Sequence, residues 1–320
     1  MRELKIGKND AGQRLDKFLG KALVDMPVSL MYKSIRTKKI KVNRKRATPE
    51  QMLAEGDTLQ LFIAEEFFKD GGISDRDLDL SKINTKISVV YEDENILLVN
   101  KEAGVSVHED EGNRKNNLIT YILAYLWRKG EYIPEDEQSF TPALCNRIDR
   151  NTEGIVIAAK NAAALRCMNE RIKDRRISKF YLAAVHGVPK RAEAILSAYL
   201  EKNEKTNTVR VCDTPFGSAK RIVTKYKVLK KRSDMSLVEV ELITGRTHQI
   251  RAHFAHIGHP LVGDGKYGQN RNDRALGYKH QALCSYKLKF PVTEEKDMLS
   301  YLDGREFSVP SEDIFFTELF

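Results

Sequence analysis

Residues 145–156 read CNRIDRNTEGIV, and in them one carboxylate, Asp149, stands between two arginines, Arg147 and Arg150. The apolar run Ile155, Val156, Ile157 follows at once. A carboxylate among guanidinium groups is favoured in its ionised form. In that form it can attack an electrophile or stabilise a developing positive charge. The same residues would also suit a plain loop in which Asp149 caps its own turn and pairs with Arg147. A polar loop feeding a buried strand over 154–159 is a usual place for chemistry.

Two further stretches carry residues of the same kind. In RISKFYLAAVHG, 176–187, Lys179 and Tyr181 open an apolar strand after the basic cluster Arg171, Lys173, Arg175 and Arg176. In TGRTHQIRAHFAHIGHPLVGDGKYG, 244–268, Ile250, Phe254 and Ile257 form an apolar stripe at helical spacing. Gly258 suits the stop of that helix and Pro260 follows it. Arg251 lies off the stripe, on the side of His248 and Ala255, and can point into a cleft. Lys266 and Tyr267 are candidates to line it. His248, His253, His256 and His259 fall within twelve residues. Their spacing runs across a helix end and contains no H-E-x-x-H, so no metal is expected. Cys145 beside the loop lacks the His and Asn pattern of a thiol nucleophile.

These residues need elements to hold them. The sequence has 320 residues, 41% hydrophobic and 31% charged, enough for one large domain and a small one. No apolar run approaches the ~20 residues of a membrane span. The start, MRELKIGKND, lacks the apolar region of a signal peptide. Four scattered cysteines without a C-x-x-C pair argue against a zinc or disulfide framework and for a cytoplasmic protein. Net charge is +9 and unevenly spread. Residues 31–46 contain Lys33, Arg36, Lys38, Lys39, Lys41, Arg44, Lys45 and Arg46 and no acid. Leu15, Phe18, Leu19 and Leu23 before them have helical spacing, and Leu59, Leu61 and Ile63 after them alternate like a strand. The spacing predicts a helix, a basic helix and turn, then short strands over 12–64. Residues 65–84, with a Gly pair and many acids, read as a linker. Beyond lie two strands around Asp93, Glu94 and Asn95, the second ending at Lys101, and a buried helix over 118–127. A helix begins after Asn161 as its cap. Without a regular βαβ rhythm, the fold class is α+β with a largely antiparallel mixed sheet and flanking helices.

The motifs NRIDRNTEG, KFYLAAVHG and GRTHQIRAHFAHIGHPLVGD, in this order, resemble those of the RluA-type pseudouridine synthases. The stretches RLDKFL, SIRTKKIKVN and EGDTLQLF resemble the small α/β RNA-binding domain first known from ribosomal small-subunit protein four. The resemblance implies an RNA-binding domain over 1–64, the linker, and a catalytic domain with the pseudouridine synthase fold over 85–320. It implies an isomerase that turns uridine into pseudouridine without a cofactor, with large-subunit ribosomal RNA as partner and transfer RNA as the alternative. Its catalytic residues map to Asp149, Tyr181 and Arg251, with Arg251 as partner of the carboxylate. RNA contacts are expected from Lys33, Arg36, Lys38, Lys39, Lys41, Arg44, Arg147, Arg150, Lys179, Arg246 and His248. A monomer without metal is expected. Asn146, Ile148 and Glu153 depart from the commoner family form, where His, Leu and Ser are frequent. The other reading is an RNA-binding or ribosome-assembly module that has lost activity.

Overall fold

The structure is a computed structural model that describes residues 1–68, 78–83, 85–109, 115–268, 271–275 and 277–320. The first part of the chain forms β1 (Arg2–Lys5), α1 (Leu15–Ala22), α2 (Val28–Arg36), β2 (Ile40–Val42), β3 (Lys45–Arg46) and β4 (Thr58–Leu61). The strands make an antiparallel sheet in the order β1-β4-β2-β3. Helices this short do not hold in isolation. They stand because Leu15, Phe18 and Leu19 of α1 and Ile35 of α2 bury against Ile40, Leu59 and Leu61 of the sheet. The basic residues between them stay on the outside.

The stretch expected to be a linker lies partly outside the described residues. Its described ends are packed: Phe67 and Phe68 lean on the small core, and Leu80 and Ile83 are buried in the large one. The N-terminal unit also touches the larger body. Ser139 Oγ donates to Asp10 Oδ1 at 2.6 Å, and Gln13 Nε2 to Ser139 Oγ at 2.9 Å.

The larger body comprises β5 (Ser88–Glu92), β6 (Ile96–Lys101), α3 (Leu118–Arg128), β7 (Ala143–Leu144), β8 (Glu153–Ala159), α4 (Ala162–Lys173) and β9 (Ser178–His186). It continues with β10 (Glu193–Asn203), β11 (Thr208–Cys212), β12 (Lys220–Arg232), β13 (Met235–Leu242), α5 (Gln249–His256), α6 (Arg271–Ala275), β14 (Leu283–Lys289) and β15 (Glu306–Ser308). The strands form one sheet in the order β11-β10-β12-β13-β9-β14-β8-β6-β5, with β7 beside β8 and β15 beside β14. Its pairings among the described residues are antiparallel except for one, between β14 and β8. The expected α+β class with a largely antiparallel mixed sheet is what the chain adopts.

Strand alternation assigns the two faces. On β8, Val156 and Ala158 face the core that holds Leu118 and Ile122 of α3 and Ile250 and Phe254 of α5. Ile155, Ile157 and Ala159 face the other core, with Met168 of α4 and Leu302, Phe307 and Phe316 near the C-terminus. Asn117 and Asn161 cap α3 and α4 by accepting from the backbone N–H of Thr120 and Ala164, at 3.0 and 2.8 Å. After α5, Gly258 takes φ +84° and His259 N–H returns to Phe254 C=O at 2.9 Å, a Schellman stop. At the parallel joint Gly154, φ +112°, lies so close to the Ser285 backbone that a Cβ there would collide with it. Only glycine lets β8 enter the sheet at this angle. Among the described residues no helix is long and apolar enough to cross a membrane.

Candidate active site

The loop 145–152 between β7 and β8 is polar in sequence but fixed in place. Cys145 N–H donates to Ile157 C=O, and Asn146 Oδ1 accepts from Ile157 N–H, both at 2.8 Å. Thr152 N–H closes a turn on Asp149 C=O at 3.0 Å. Gln281 Nε2 donates to Thr152 Oγ1 at 3.1 Å. From below, the buried ammonium of Lys101 donates to the carbonyls of Glu102, Val105 and Arg150, each at 2.9 Å. Three donors meet three acceptors, so the charge is fully satisfied. Burial still pushes its pKa down, to about 8, against the pull of Asp149 and Glu153.

Asp149 points from this loop toward α5. Arg251 Nη1 donates to Asp149 Oδ2 at 2.8 Å. The rest of the guanidinium is held by a second carboxylate: Nε and Nη2 donate to Asp264 Oδ2 and Oδ1, at 2.7 and 2.9 Å. Asp264 is fully buried and also accepts from the backbone N–H of Lys266 and Tyr267, at 2.8 and 3.2 Å. Burial opposes both charges, but the forked pair more than offsets it, raising Arg251 and lowering Asp264. The side chains of Asp264, Arg251 and Asp149 are 0%, 8% and 26% exposed. Only the last of the three reaches solvent to a useful extent, so it is the one that another molecule can meet.

Around the pair stand three rings. Tyr181, on β9, is buried, within the field of Asp149 and hydrogen-bonded to Ser285. Burial pushes its phenol up to about 12. A phenol so placed is neutral at physiological pH. Tyr267 lies under Arg251, with the guanidinium 5.3 Å from the ring centre. His248 precedes α5, its Nδ1 2.8 Å from the Tyr267 hydroxyl and its Nε2 3.8 Å from Asp149 Oδ2.

The structure thus brings Asp149 and Arg251 into contact, with Tyr181 beside them. The partner of Asp149 is Arg251, 102 residues away, and not Arg147. Arg147, Arg150 and Arg246 are exposed, although Arg150 Nε already donates to Gly104 C=O at 3.0 Å. Lys179 is half-buried, its Nζ close to Gly245, and burial lowers its pKa. His248 is half-buried beside Asp149. Lys33, Arg36, Lys38, Lys39 and Arg44 are exposed on the N-terminal unit, and Lys41, half-buried, lies 5.4 Å from the ring centre of Phe62.

The remaining histidines have separate partners. His253 is a core residue against Thr224 Oγ1 at 3.0 Å, its pKa lowered by burial to about 4. His256 meets Asp213, and His259 meets the carbonyl of His186. Among the described residues no group of three or more His, Cys, Asp or Glu is arranged to hold a metal ion. Burial raises the Cys145 thiol to about 12, which removes it as a nucleophile. Arg171, from the basic cluster ahead of β9, is buried, with Nε 2.7 Å from Asp297 and Nη1 2.9 Å from Asp303. It is a packing residue and not part of an anion surface.

Three residues of the site are absent from the sequence-derived set. Asp264 lay in plain view in GDGKYG, between two glycines and next to Lys266 and Tyr267, but nothing local says that it faces Arg251. Lys101 ends β6 and its role depends on a carbonyl 49 residues on. Glu153, noticed as a departure, has a buried Oε1 without a partner among the described residues. Burial raises it to about 7 despite Lys101.

The family model described as RNA pseudouridylate synthase matches residues 95–256. The ribosomal large subunit pseudouridine synthase C of Vibrio parahaemolyticus is 34% identical over 291 residues, 89% of this chain and 87% of the relative. An uncharacterised RNA pseudouridine synthase of Mycoplasma genitalium is 33% identical over 90% of this chain and 89% of its own. Among solved structures, the human RNA pseudouridylate synthase domain containing 1 superposes with a TM-score of 0.53 at 25% identity, covering 73% of this chain and 95% of that one.

Proposed function

Since the chain belongs to the RNA pseudouridylate synthase family, of the RluA type, we propose that it isomerises uridines of large-subunit ribosomal RNA, with Asp149 as the reacting carboxylate. The observation that carries the reading is the Asp264–Arg251–Asp149 chain, in which a buried carboxylate holds a guanidinium and the guanidinium aims an accessible one. The reaction breaks the bond between the ribose and nitrogen one of uracil, turns the base and rejoins it through carbon five, which gives up its proton. No electrons or groups enter from outside. A fixed carboxylate can attack or stabilise the electron-poor centre of this step. Arg251 holds it in one orientation, and Tyr181 supplies a ring face for the base.

A uridine inside a stem must first leave its stack, at a cost of a few kcal/mol. In this reading Arg147, Arg150 and Arg246, all exposed, and the half-buried Lys179 hold the phosphates of such a strand. The N-terminal unit, read as an RNA-binding domain like that of ribosomal small-subunit protein four, adds the basic face from Lys33 to Arg46. The ribosomal target comes from the names of the relatives, 34% identical over most of this chain.

The test is tritium release from carbon five of labelled uridine in bulk RNA made without the gene. The parent should release it, and Asp149→Asn should lower the rate by roughly a thousandfold while binding RNA as before, because a neutral amide loses what acts in the transition state. A variant with near-parent turnover would remove Asp149 from the chemistry. A silent parent would leave the binding-module reading standing. Mapping pseudouridines in ribosomal and transfer RNA, with and without the gene, decides the target.

A further inference from the structure

His248 has features that the roles of Asp149, Arg251 and Tyr181 leave unused. Its backbone is left-handed, φ +51° and ψ +20°, just ahead of α5. A non-glycine residue holds that conformation at a cost, and such residues gather where a side chain must be aimed. Here it turns the ring toward Asp149. The ring is held at one end only. Tyr267 Oη accepts from the backbone N–H of Val209 at 3.0 Å, and no other acceptor for its own hydrogen is found among the described residues. In the arrangement that satisfies this hydrogen within the chain, the hydroxyl donates to His248 Nδ1, 2.8 Å away. With Nδ1 an acceptor, a neutral imidazole carries its hydrogen on Nε2. That nitrogen has no hydrogen-bond partner among the described residues and lies 3.8 Å from Asp149 Oδ2, too far for a hydrogen bond. It is an aimed donor beside the reacting carboxylate.

The neutral form follows from the surroundings. Burial first, then the charges of Arg251 and Lys266, lower the pKa of the ring against the opposing pull of Asp149 and Asp264. Neutrality also suits the site. An imidazolium at this distance would compete with Arg251 for Asp149, whereas a neutral N–H leaves the carboxylate free.

We propose that His248 is a further catalytic residue, whose Nε2–H donates a hydrogen bond to a carbonyl oxygen of the target uracil. As the bond between ribose and base nitrogen breaks, its electron pair goes to the base and negative charge spreads to the carbonyl oxygens. The donor stabilises that charge, and its hydrogen stays on Nε2, so the residue leaves the step unchanged and no co-reactant is required. Tyr267 is the positioning residue behind it, fixing the tautomer and the direction of the ring. The inference rests on the reading of Asp149 given above.

The experiment compares His248→Ala, His248→Gln, Tyr267→Phe and the Gln/Phe double variant in single-turnover tritium release from the same labelled bulk RNA, with RNA affinity measured alongside. His248→Ala should lower the rate about 100-fold, the scale of losing one preorganised donor, with affinity changed by less than about threefold. The Gln amide can stand near Nε2 and should recover about tenfold of the loss. Tyr267→Phe should cost about tenfold in the parent and nothing further with Gln at 248, which has no tautomer to set. A purely structural role gives neither the rescue nor the lost coupling. An Ala variant at parent rate, a loss confined to affinity, or a Gln variant no better than Ala each overturns the inference. Asp149→Asn run alongside separates the two readings. If it is inactive while His248→Ala is normal, only the donor role falls. If it is active, or the parent releases no tritium, the reading of Asp149 falls and this one with it.

Discussion

The basic face of the N-terminal unit and the charged cleft of the larger body treat charge in opposite ways. Between Lys33 and Arg46 eight cations crowd into a short run, seven of them exposed. None has an acidic side chain within ion-pair distance among the described residues. At the Asp149 site two cations, Arg251 and Lys101, are buried, far apart in sequence, and the N–H groups named for each have fixed acceptors. Exposed cations act at a distance, are screened by salt and tolerate many arrangements of an anionic partner. Buried ones pay for desolvation with geometry and hold one arrangement. The difference fits the proposed division of labour, attachment by the dense region and alignment by the sparse one.

The largest effect should come from breaking the alignment. Arg251→Lys keeps the charge but loses the planar fork, and a single nitrogen cannot stand where Nε and Nη2 meet Asp264 and also where Nη1 meets Asp149. The single-turnover rate should fall about 100-fold, with RNA affinity little altered. A rate close to the parent's would mean that charge alone suffices in the cleft, and the contrast with the exposed face would collapse.

The basic face should answer to salt instead. Changing Lys33, Arg36, Lys39 and Lys41 together to Gln leaves the docking of Asp10 and Gln13 on Ser139 in place. RNA affinity should weaken, and the slope of log affinity against log salt should flatten by up to about three units, since each phosphate contact contributes roughly 0.7–0.9. The rate at saturating RNA should stay as it was, because uniform binding enters KM and not kcat. An unchanged slope would show that these cations do not meet RNA.

The smallest effect concerns pH, to which the buried region alone should respond. Glu153 titrates at about 7 in the folded chain against a usual 4.5, raised by burial with Lys101 opposing. The folded state therefore holds its proton more tightly than the unfolded state does. The stability this contributes is complete below 4.5 and is lost as pH rises through about 7. Glu153→Gln removes the loss, so its stability relative to the parent should grow between pH 5 and pH 8. After a discount for partial exposure the gain is of order 1–2 kcal/mol. Denaturant melts at the two pH values measure it, and a difference that does not grow with pH would contradict the assignment.

What was legible in the sequence was local. The stripe on α5, its Gly258 stop, the Asn161 cap, the apolar strand over 154–159 and the basic run all rest on neighbours within a few residues. The motifs added the family and the pairing of Asp149 with Arg251, which no periodicity contains. Asp264, Lys101 and the inward turn of His248 were not legible. Each depends on a partner brought by another strand or on a φ angle that the surroundings enforce. Arg171 misled for the same reason: a buried arginine with two aspartates more than 120 residues on looks, in sequence, like one more surface cation.

The parallel joint between β8 and β14 has a consequence for assembly. Within β5 to β8 on one side and β9 to β13 on the other, paired residues lie at most 63 positions apart in the chain, as Ile96 and Ala159 do. The strand that unites them, β14, comes from about 130 residues beyond β8. Distant and parallel pairings of this kind form slowly, because the chain must be ordered before the contact rewards it. Asp149 belongs to the first side and Arg251 to the second, so the pair exists only once β14 has entered between them. A chain still emerging from synthesis, or one halted with either side formed, has no Asp149–Arg251 pair, and on the proposed reading no means of acting on the RNA around it.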